Sequence, residues 1–338
     1  MRGHAIEARI CAENPDMNFL PATGTLHVAR WPAHVSFERS DDSPRIDRGF
    51  DEGDAISPHY DSMIAKLIVW GENRAQALAR LDAALAQTQI VGLATNVAFL
   101  RRVVATNAFT HADLDTALIE RERAALFEAA PLALEVAAAG VVARELARDR
   151  ALEDADPWSR RDGWRLFGGA TRRFDLDVDG TRHAVALERA HDGALTLALG
   201  DHRWPLAART LGADRHDVTL GAERLTLAVY AEGERITVFA PRGTLALDEV
   251  DALAHAGEGA SAGGRLTAPM PGKVVAFLVK AGDAVKSGQA LAVMEAMKME
   301  HTIAAPRDGT VAELLYGVGD QVAEGGELLR LAAGEASS

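Results

Sequence analysis

The C-terminal part of the chain contains short stretches in which apolar and polar residues alternate, and this pattern occurs twice. Residues 268–293 return as residues 305–330 at an offset of 37, so that Gly272 corresponds to Gly309 and Val274 to Val311. Alternation with a period of two is typical of half-buried strands. Because a single small sheet leaves its edges and one apolar face open, the repeat predicts two similar sheets that pack face to face.

One hexapeptide lies where the first copy of the repeat ends and the second begins. Its sequence is Glu295-Ala296-Met297-Lys298-Met299-Glu300. This position predicts a hairpin that joins the two sheets, with Lys298 at an exposed tip. A surface lysine without a function is the ordinary alternative. The chain has only five lysines against thirty-one arginines, and the position of Lys298 at the centre of the repeat favours a reactive residue.

Between residues 126 and 250 the pattern changes from helical to extended. Pro131 can open a helix, and one apolar stripe follows at Leu132, Val136, Ala139, Ala143 and Leu146. After Trp158 the alternation of a sheet begins, for example at Phe174 and Leu176, and it is interrupted by Asp179-Gly180, a strong hairpin signal. Repeated short strands of this kind predict an antiparallel barrel.

The first 125 residues alternate between strands and helices. Ile6, Ala8 and Ile10 predict an initial strand, and the apolar run from Met63 to Trp70 predicts a buried one. Asn73 can cap the helix that follows. The chain as a whole is therefore expected to be multidomain, with α+β and all-β parts.

Composition excludes several classes of partner. The formal net charge of −13 argues against nucleic acid and against an anionic membrane. The most apolar run is too short to span a bilayer, and the N-terminus lacks the pattern of a signal peptide. A single cysteine, Cys11, excludes an intrachain disulfide framework and is expected to be a buried, small apolar residue. These features predict a cytoplasmic protein, or one of the mitochondrial matrix if the source is eukaryotic.

Two groups of polar residues in the middle of the chain have no convincing site pattern. The spacing of His183, His191, His202 and His216 fits no zinc site, so solvated positions are expected for all four. Arg144, Arg148 and Arg150 alternate with Glu145 and Asp149, and this cluster is expected to solvate a helix end. Residues 253–265 are rich in Ala, Gly and Ser and predict a flexible linker with a span of about 20 Å.

The hexapeptide resembles the biotinyl domain of biotin-dependent carboxylases. The resemblance implies that biotin protein ligase attaches biotin to Lys298, with Ala296, Met297 and Met299 forming the attachment motif. Lipoyl carriers share the fold but usually have Asp-Lys-Ala, so the two methionines favour biotin. A lipoyl carrier remains the third interpretation.

The N-terminal stretch is similar to the C-terminal part of a biotin carboxylase domain. The motifs that carry the resemblance are residues 3–9, 60–68, 71–74 and 95–96. It implies that Arg45, followed two residues later by Asp47, stabilises the oxygen that gains charge when biotin attacks CO2. ATP and Mg would be bound by family elements that precede Met1, so this chain is expected to be a partial subunit that is inactive alone.

The middle segment is similar to the domain that ties biotin carboxylase to carboxyltransferase in acyl-CoA carboxylases. Asp156-Pro157-Trp158-Ser159, followed by Asp162-Gly163-Trp164-Arg165, more closely resembles the methylcrotonyl branch, which implies a role in leucine degradation. The expected partners are a carboxyltransferase β-subunit and, through it, an acyl-CoA, with the helix serving as a hook for docking. The alternatives are a propionyl-CoA or other acyl-CoA carboxylase, or a non-catalytic biotin carrier or assembly protein. The predicted domains are 1–125 (carboxylase part), 126–252 (docking), 253–265 (linker) and 266–333 (biotinyl).

Overall fold

The structure of the chain is a computed structural model. It describes residues 2–128, 132–163, 165–166, 168–250, 265–268, 271–296, 299–323 and 325–332. The chain divides into two compact units, one of Met1–Phe127 with Gly259–Ser338 and one of Glu128–Glu258. In the first unit, the N-terminal and C-terminal segments each have a hydrophobic core of their own. The multidomain α+β and all-β fold expected from the sequence is confirmed.

The N-terminal segment is built on a three-stranded sheet with helices against one face. Its strands are β1 (His4–Cys11), β2 (Glu13–Asn14), β3 (Leu20–Pro21), β4 (Gly24–Thr25), β5 (Val28–Arg30), β6 (Arg45–Arg48), β7 (Ala55–Ile56), β8 (Met63–Gly71) and β9 (Gln89–Val91). Its helices are α1 (Arg74–Gln87), α2 (Val97–Ala105), α3 (Asn107–Thr110), α4 (Leu118–Arg121) and α5 (Arg123–Phe127), with a 3-10 turn at Pro15–Met17. The sheet has the order β1-β8-β6, and both pairings are antiparallel.

The sequence accounts for this sheet and for the helix that covers it. Asn73 caps α1 by accepting a hydrogen bond from the Gln76 backbone N–H at 2.9 Å, as predicted. Leu81 and Leu85 on α1 and Leu67 on β8 are fully buried in the common core. Because side chains alternate along a strand, the polar residues of β1, β8 and β6 lie together on the opposite face of the sheet.

The second unit is a closed antiparallel barrel with a helix inside it. Its elements are α6 (Leu134–Ala151), a 3-10 turn at Pro157–Ser159, and strands β10 (Ala170–Val178), β11 (Thr181–Arg189), β12 (Leu195–Leu199), β13 (His202–Thr210), β14 (Arg215–Leu220), β15 (Glu223–Glu232), β16 (Arg235–Ala240) and β17 (Gly243–Glu249). Within residues 168–250, these eight strands pair in chain order and β17 returns to β10. The predicted hairpin turn is confirmed, since Asp179 and Gly180 both have positive φ.

Helix α6 differs from the amphipathic helix predicted from its stripe. Residues 137–139 and 141–143 are at most 2% exposed, and Gly140 is also buried, so this part of the helix is covered on every side. It contacts β13, β14, β15 and β16. A Cβ on Gly140 would lie 3.0 Å from Val238 Cγ1 and 3.2 Å from Val229 Cγ2, which explains the small residue. The prediction that this helix is a hook for a partner is therefore wrong for its buried centre.

Two polar residues of the second unit occupy positions that the sequence did not predict. His216 is 1% exposed and lies on the same face of β14 as Val218 and Leu220, which are core residues. The expectation that all four histidines are solvated is wrong for this one. Glu145 is also buried, and it forms ion pairs with Arg144 at 2.8 Å and Arg172 at 2.9 Å. The charged cluster is thus partly internal and does not simply solvate a helix end.

The C-terminal segment consists of two four-stranded sheets that reproduce the sequence repeat. Its strands are β18 (Arg265–Thr267), β19 (Gly272–Phe277), β20 (Ala284–Val285), β21 (Ala290–Ala296), β22 (Met299–Ala304), β23 (Gly309–Leu314), β24 (Gln321–Val322) and β25 (Glu327–Ala332). The sheet orders are β18-β25-β23-β20 and β22-β21-β19-β24. A shift of 37 residues converts one order into the other, which confirms the prediction of two similar sheets.

Loop contacts in this segment follow the same symmetry. Gly282 donates a backbone hydrogen bond to Val311 O at 2.8 Å, and its repeat equivalent Gly319 donates one to Val274 O at 2.8 Å. Most of the predicted linker, residues 253–264, lies outside the described residues, whereas Arg265 is the first residue of β18.

Candidate functional site

The hairpin predicted at the centre of the repeat is formed by β21 and β22. Their register pairs Glu295 with Glu300 and Ala296 with Met299. Met297 and Lys298 lie outside the described residues, as does the side chain of Met299. Only two residues separate the paired positions in the sequence, so Lys298 immediately precedes Met299, the first residue of β22.

The base of this hairpin is tightly packed. Ala296 is 4% exposed and Met294 is 1% exposed. A Cβ on Gly272, in the neighbouring β19, would lie 2.8 Å from Glu295 O and 3.4 Å from Ala296 Cβ. A side chain at position 272 would therefore force these strands apart. Ala296 contributes to the packing below the hairpin, which holds the flanking strands in place.

Charged side chains surround the end of the hairpin. Glu295 and Glu300 are exposed and face each other across β21 and β22, and Lys273 of β19 pairs with Glu295 on the other side. A packed hairpin base with exposed charged residues beside it suits a carrier that presents a group, bound through one amide, to the active sites of other proteins.

The second predicted site residue, Arg45, lies on the polar face of the N-terminal sheet. Its Nε is 3.0 Å from Oδ1 and 2.9 Å from Oδ2 of Asp47, and its Nη2 is 2.7 Å from Oδ2. The Arg45 side chain is 36% exposed, whereas that of Asp47 is 13% exposed. Within the part of the chain that the structure describes, Nη1 of Arg45 has no hydrogen-bond partner. One edge of the guanidinium is thus held by the protein and the other is available to a ligand.

The surroundings of Arg45 favour its positive charge. The hydrogen bond with Asp47 raises the pKa of Arg45 and lowers the pKa of Asp47. Arg45 also lines a cavity of about 490 Å³ together with Arg2, Trp70 and the ion-paired Arg39 and Asp41. Three arginines against one carboxylate leave an excess of positive charge, which is suited to bind an anion. The arrangement can therefore stabilise negative charge near the polar face of the sheet.

Phe37 is a feature of this region that sequence reasoning missed. It has a φ of 55° and is 72% exposed, and its backbone N–H donates to Asp47 Oδ1 at 2.8 Å. A bulky residue with positive φ is strained. No sequence signal could have identified this position, since glycine and asparagine are the residues that mark such a backbone.

Trp158 is the second feature that was not predicted. It is 93% exposed although the turn around it is well ordered by hydrogen bonds. Asp156 Oδ1 accepts from the Trp158 N–H at 2.9 Å, and Ser159 Oγ donates to Asp156 O at 2.7 Å. Leu152 and Leu166 in the same segment are 54% and 65% exposed. The available sequence signal was the position of Trp158 between two residues that favour turns, Asp156 and Ser159.

The environment of Cys11 does not favour a reactive thiol. It is half-buried on β1, and burial, together with the nearby charge of Glu13, raises its pKa to about 11. A thiol with this pKa is protonated at neutral pH and is a poor nucleophile. The prediction of a small, inert residue agrees with this environment, although the side chain is less buried than expected.

Three family models match successive parts of the chain. Residues 7–121 match the biotin carboxylase C-terminal domain, residues 131–252 match the BT domain of the methylcrotonyl-CoA carboxylase alpha-subunit, and residues 264–331 match the family described as biotin-requiring enzyme. The repeat-built segment is therefore a carrier domain for covalent biotin. This defines the class of protein as a biotin-dependent carboxylase component.

Similar proteins place all three domains in one polypeptide. The mitochondrial methylcrotonoyl-CoA carboxylase subunit alpha of Dictyostelium discoideum is 33% identical over 95% of this chain and 48% of its own length, and that of Mus musculus is 33% identical over 95% and 46%. The mitochondrial propionyl-CoA carboxylase alpha chain of Sus scrofa is 29% identical over 98% of this chain and 46% of its own length. The chain thus spans about half the length of these relatives.

The chain therefore contains the three domains that these family models describe, in the order biotin carboxylase C-terminal, BT and biotin-requiring. Over 95–98% of its length it is similar to α-subunits of acyl-CoA carboxylases. Among the helices of the described residues, none is both long enough and apolar enough to cross a membrane.

Proposed function

We propose that this chain carries biotin on Lys298 and acts within an acyl-CoA carboxylase that uses ATP, Mg and bicarbonate. The observation that supports this most is the hairpin of β21 and β22, whose pairing ends at Ala296 and Met299. Biotin held there by Lys298 would supply the ureido nitrogen needed for carboxyl transfer. The packed hairpin base then restricts where the tether begins.

Streptavidin binding tests the attachment residue. After co-expression with biotin protein ligase and biotin, Lys298→Arg is expected to abolish binding. Lys286→Arg is the matched control, because Lys286 is an exposed lysine of the same domain. It is expected to leave binding unchanged. Retention of the signal in Lys298→Arg would move the attachment residue elsewhere. A lipoyl carrier would bind no streptavidin in either form.

The proposed role of Arg45 is to stabilise negative charge during carboxylation of biotin. Its free guanidinium edge and the arginine-lined cavity support this role. Fixed donors aimed at a developing charge are among the strongest catalytic devices. In the full-length subunit, Arg45→Ala is expected to reduce carboxylation about 100-fold. Arg48→Ala, on the same strand but paired with Asp51 at 2.8 Å, is expected to retain activity.

The proposed substrate is 3-methylcrotonyl-CoA, which would place the enzyme in leucine degradation. The BT-domain match and the 33% identity to methylcrotonoyl-CoA carboxylase subunits support this choice over propionyl-CoA, for which the identity is 29%. Acyl-CoA would be bound by a carboxyltransferase β-subunit. Comparing carboxylation of the two acyl-CoA esters by the reconstituted enzyme tests the choice, and a preference for propionyl-CoA would reverse it.

The barrel unit is the proposed docking module for the β-subunit, with Trp158 as the main contact. An exposed tryptophan in a hydrogen-bonded turn is typical of the residues that dominate binding at interfaces. Trp158→Ala is expected to weaken binding to the β-subunit by at least about 2 kcal/mol, which is about 30-fold in affinity. Co-purification of the two subunits should fall accordingly. Leu211→Ala, which changes another exposed apolar residue of the barrel, is the control. Equal effects of the two variants would move docking to another region.

The alternative is a non-catalytic biotin carrier or assembly protein. It would be biotinylated on Lys298 and would bind the β-subunit without supporting carboxylation in any assembled form. The same Arg45 experiment separates the two functions, because only the carboxylase predicts that Arg45 affects turnover. We place the protein in the cytoplasm, or in the mitochondrial matrix of a eukaryote.

A further inference from the structure

The Arg45–Asp47 pair is held by contacts that go beyond an ordinary surface ion pair. Asp47 uses both carboxylate oxygens toward Arg45, and Oδ1 also accepts from the Phe37 N–H at 2.8 Å. Surface ion pairs usually gain little, because two flexible side chains must be ordered. Here the carboxylate is fixed by a backbone donor, and the arginine is fixed by the carboxylate.

The segment that supplies the Phe37 amide is itself closed onto β6. Val35 N–H donates to Pro44 O at 3.0 Å, and Ile46 N–H donates to Val35 O at 2.9 Å. Ser36 Oγ donates to Ile46 O at 3.0 Å. The residues between Val35 and Pro44 therefore form a loop whose two ends are tied together beside Arg45, and the loop places the Phe37 amide next to Asp47.

The backbone of Phe37 adopts an unfavourable conformation in making this contact. A left-handed residue other than glycine costs about 1–2 kcal/mol, and strained backbone persists only where the surrounding structure enforces it. The phenyl ring is largely exposed, so packing of the ring does not explain the strain. The hydrogen bond to Asp47 is the contact that the conformation makes possible.

Lys66 completes the arrangement on the polar face of the sheet. It pairs with Asp47 across β6 and β8, and its charge contributes to the lowered pKa of Asp47. Asp47 therefore remains ionised while it holds Nε and Nη2 of Arg45. The guanidinium plane is fixed, and Nη1 points away from the carboxylate because the bonded edge comprises the other two nitrogens.

From this geometry we infer that Asp47 is a positioning residue, which orients Arg45 so that its Nη1 edge faces the charge that develops in the proposed carboxylation. The inference rests on the role proposed for Arg45 and adds a second residue and its backbone support. Asp47 does not contact the reacting atoms in this role. It fixes the orientation of the Arg45 guanidinium plane through its bonds to Nε and Nη2.

The test uses the side-chain NMR signal of Arg45 and turnover in parallel. In the 338-residue chain, Asp47→Asn is expected to change the chemical shift of the Arg45 Nε–H and to accelerate its exchange with water. In the full-length subunit assembled with its β-subunit, the same variant is expected to lower kcat about 10- to 100-fold, the size of effect that a small misplacement of a reacting group can have. The KM for ATP is expected to remain unchanged.

Two further variants make the outcome decisive. Asp47→Glu keeps the charge and is expected to restore part of kcat. Asp51→Asn removes the carboxylate that pairs with Arg48, and it is expected to change neither the Arg45 signal nor kcat. A loss of thermal stability without a change in kcat would show that Asp47 is only structural and would overturn the inference.

The result for Arg45→Ala separates this inference from the proposed function. If Arg45→Ala is inactive while Asp47→Asn retains full kcat, Arg45 is catalytic but Asp47 does not position it. If Arg45→Ala retains full kcat, the role proposed for Arg45 fails, and the positioning role of Asp47 fails with it.

Discussion

Glu145 on the central helix and Arg172 on the first strand of the barrel form an ion pair with an Nη2–Oε2 distance of 2.9 Å, in which the Glu145 side chain is only 6% exposed. Arg172 also bonds Asp149 at 2.9 Å, one helical turn further along α6. The centre of this helix is rich in alanine, and Val141, Val142 and Leu146 are its core contacts in the barrel. The two ion pairs of Arg172 therefore add a polar connection between helix and barrel to this apolar packing.

Coupling between these two residues is expected to be large for an ion pair. A double-mutant cycle of Glu145→Gln and Arg172→Gln should give about 1–3 kcal/mol, because the carboxylate is desolvated and its hydrogen bonds are charge-assisted. Native-state hydrogen exchange of barrel amides measures the free energy of opening. The exposed pair Arg235–Asp248, with side chains 53% and 40% exposed, is the control and should give less than about 1 kcal/mol. Equal coupling in both pairs would contradict the proposed role.

The stability of the barrel is expected to fall in mild acid because of His216. Burial lowers the pKa of His216, and the charge of Arg144 acts in the same direction, while Asp214 opposes it. Neither ring nitrogen has a hydrogen-bond partner within the part of the chain that the structure describes. His216 therefore binds a proton more readily in the unfolded state. The stability that the neutral His216 contributes is fully present above the unfolded pKa of about 6.5, and it is lost as the pH falls toward the folded pKa.

The His216 effect can be isolated by comparing His216→Leu with the unaltered chain. Hydrogen exchange of barrel amides between about pH 8 and pH 5 should show a smaller loss of stability in the variant. His202→Leu is the control, because His202 is exposed. An identical pH dependence in all three proteins would show that His216 does not titrate differently in the folded and unfolded states.

At Phe37, glycine is expected to give a more stable protein than alanine, the reverse of the usual order. At ordinary positions in secondary structure, glycine is about 0.5–1 kcal/mol less stable than alanine. Because φ is 55° at Phe37, Phe37→Gly is expected to be more stable than Phe37→Ala by up to about 1 kcal/mol, since only glycine relieves the strain. Thermal denaturation of the two variants measures the difference. A more stable alanine variant would show that the residue is not held in the left-handed conformation.

The thiol of Cys11 is expected to resist alkylation in the folded protein. With a pKa of about 11, it has almost no thiolate near pH 8. Iodoacetamide should therefore modify it slowly in buffer and rapidly in denaturant, as followed by intact mass. Rapid modification of the folded chain would show that Cys11 has a lower pKa than its burial implies.

Local patterns in the sequence predicted much of this fold. The repeat offset of 37 residues appears directly in the two sheet orders, because equivalent residues form equivalent strands. Asn73 predicted the start of α1, and Asp179-Gly180 predicted a barrel hairpin, because caps and turns depend on a few neighbouring residues.

Features that depend on distant partners were not predictable in this way. The stripe of α6 did not show that a barrel encloses the helix on all sides. Glycine inside a helix is ordinarily unfavourable by about 1 kcal/mol, and the local sequence did not show that Val229 and Val238 leave little room for a side chain at Gly140. The burial of Glu145 depends on Arg172, which lies 27 residues away. For His216, a sequence signal was present. It shares its strand face with Val218 and Leu220, and this alternation predicts burial for all three residues.

Whether Lys298 carries biotin can be measured by mass spectrometry of the chain co-expressed with biotin protein ligase. The intact mass should increase by one biotinyl group, and fragmentation of the peptide that contains residues 295–300 should locate the group on Lys298. Lys298→Arg should show the unmodified mass. A lipoyl group on Lys298, a biotinyl group on another lysine, or an unmodified chain in the presence of active ligase would contradict the account.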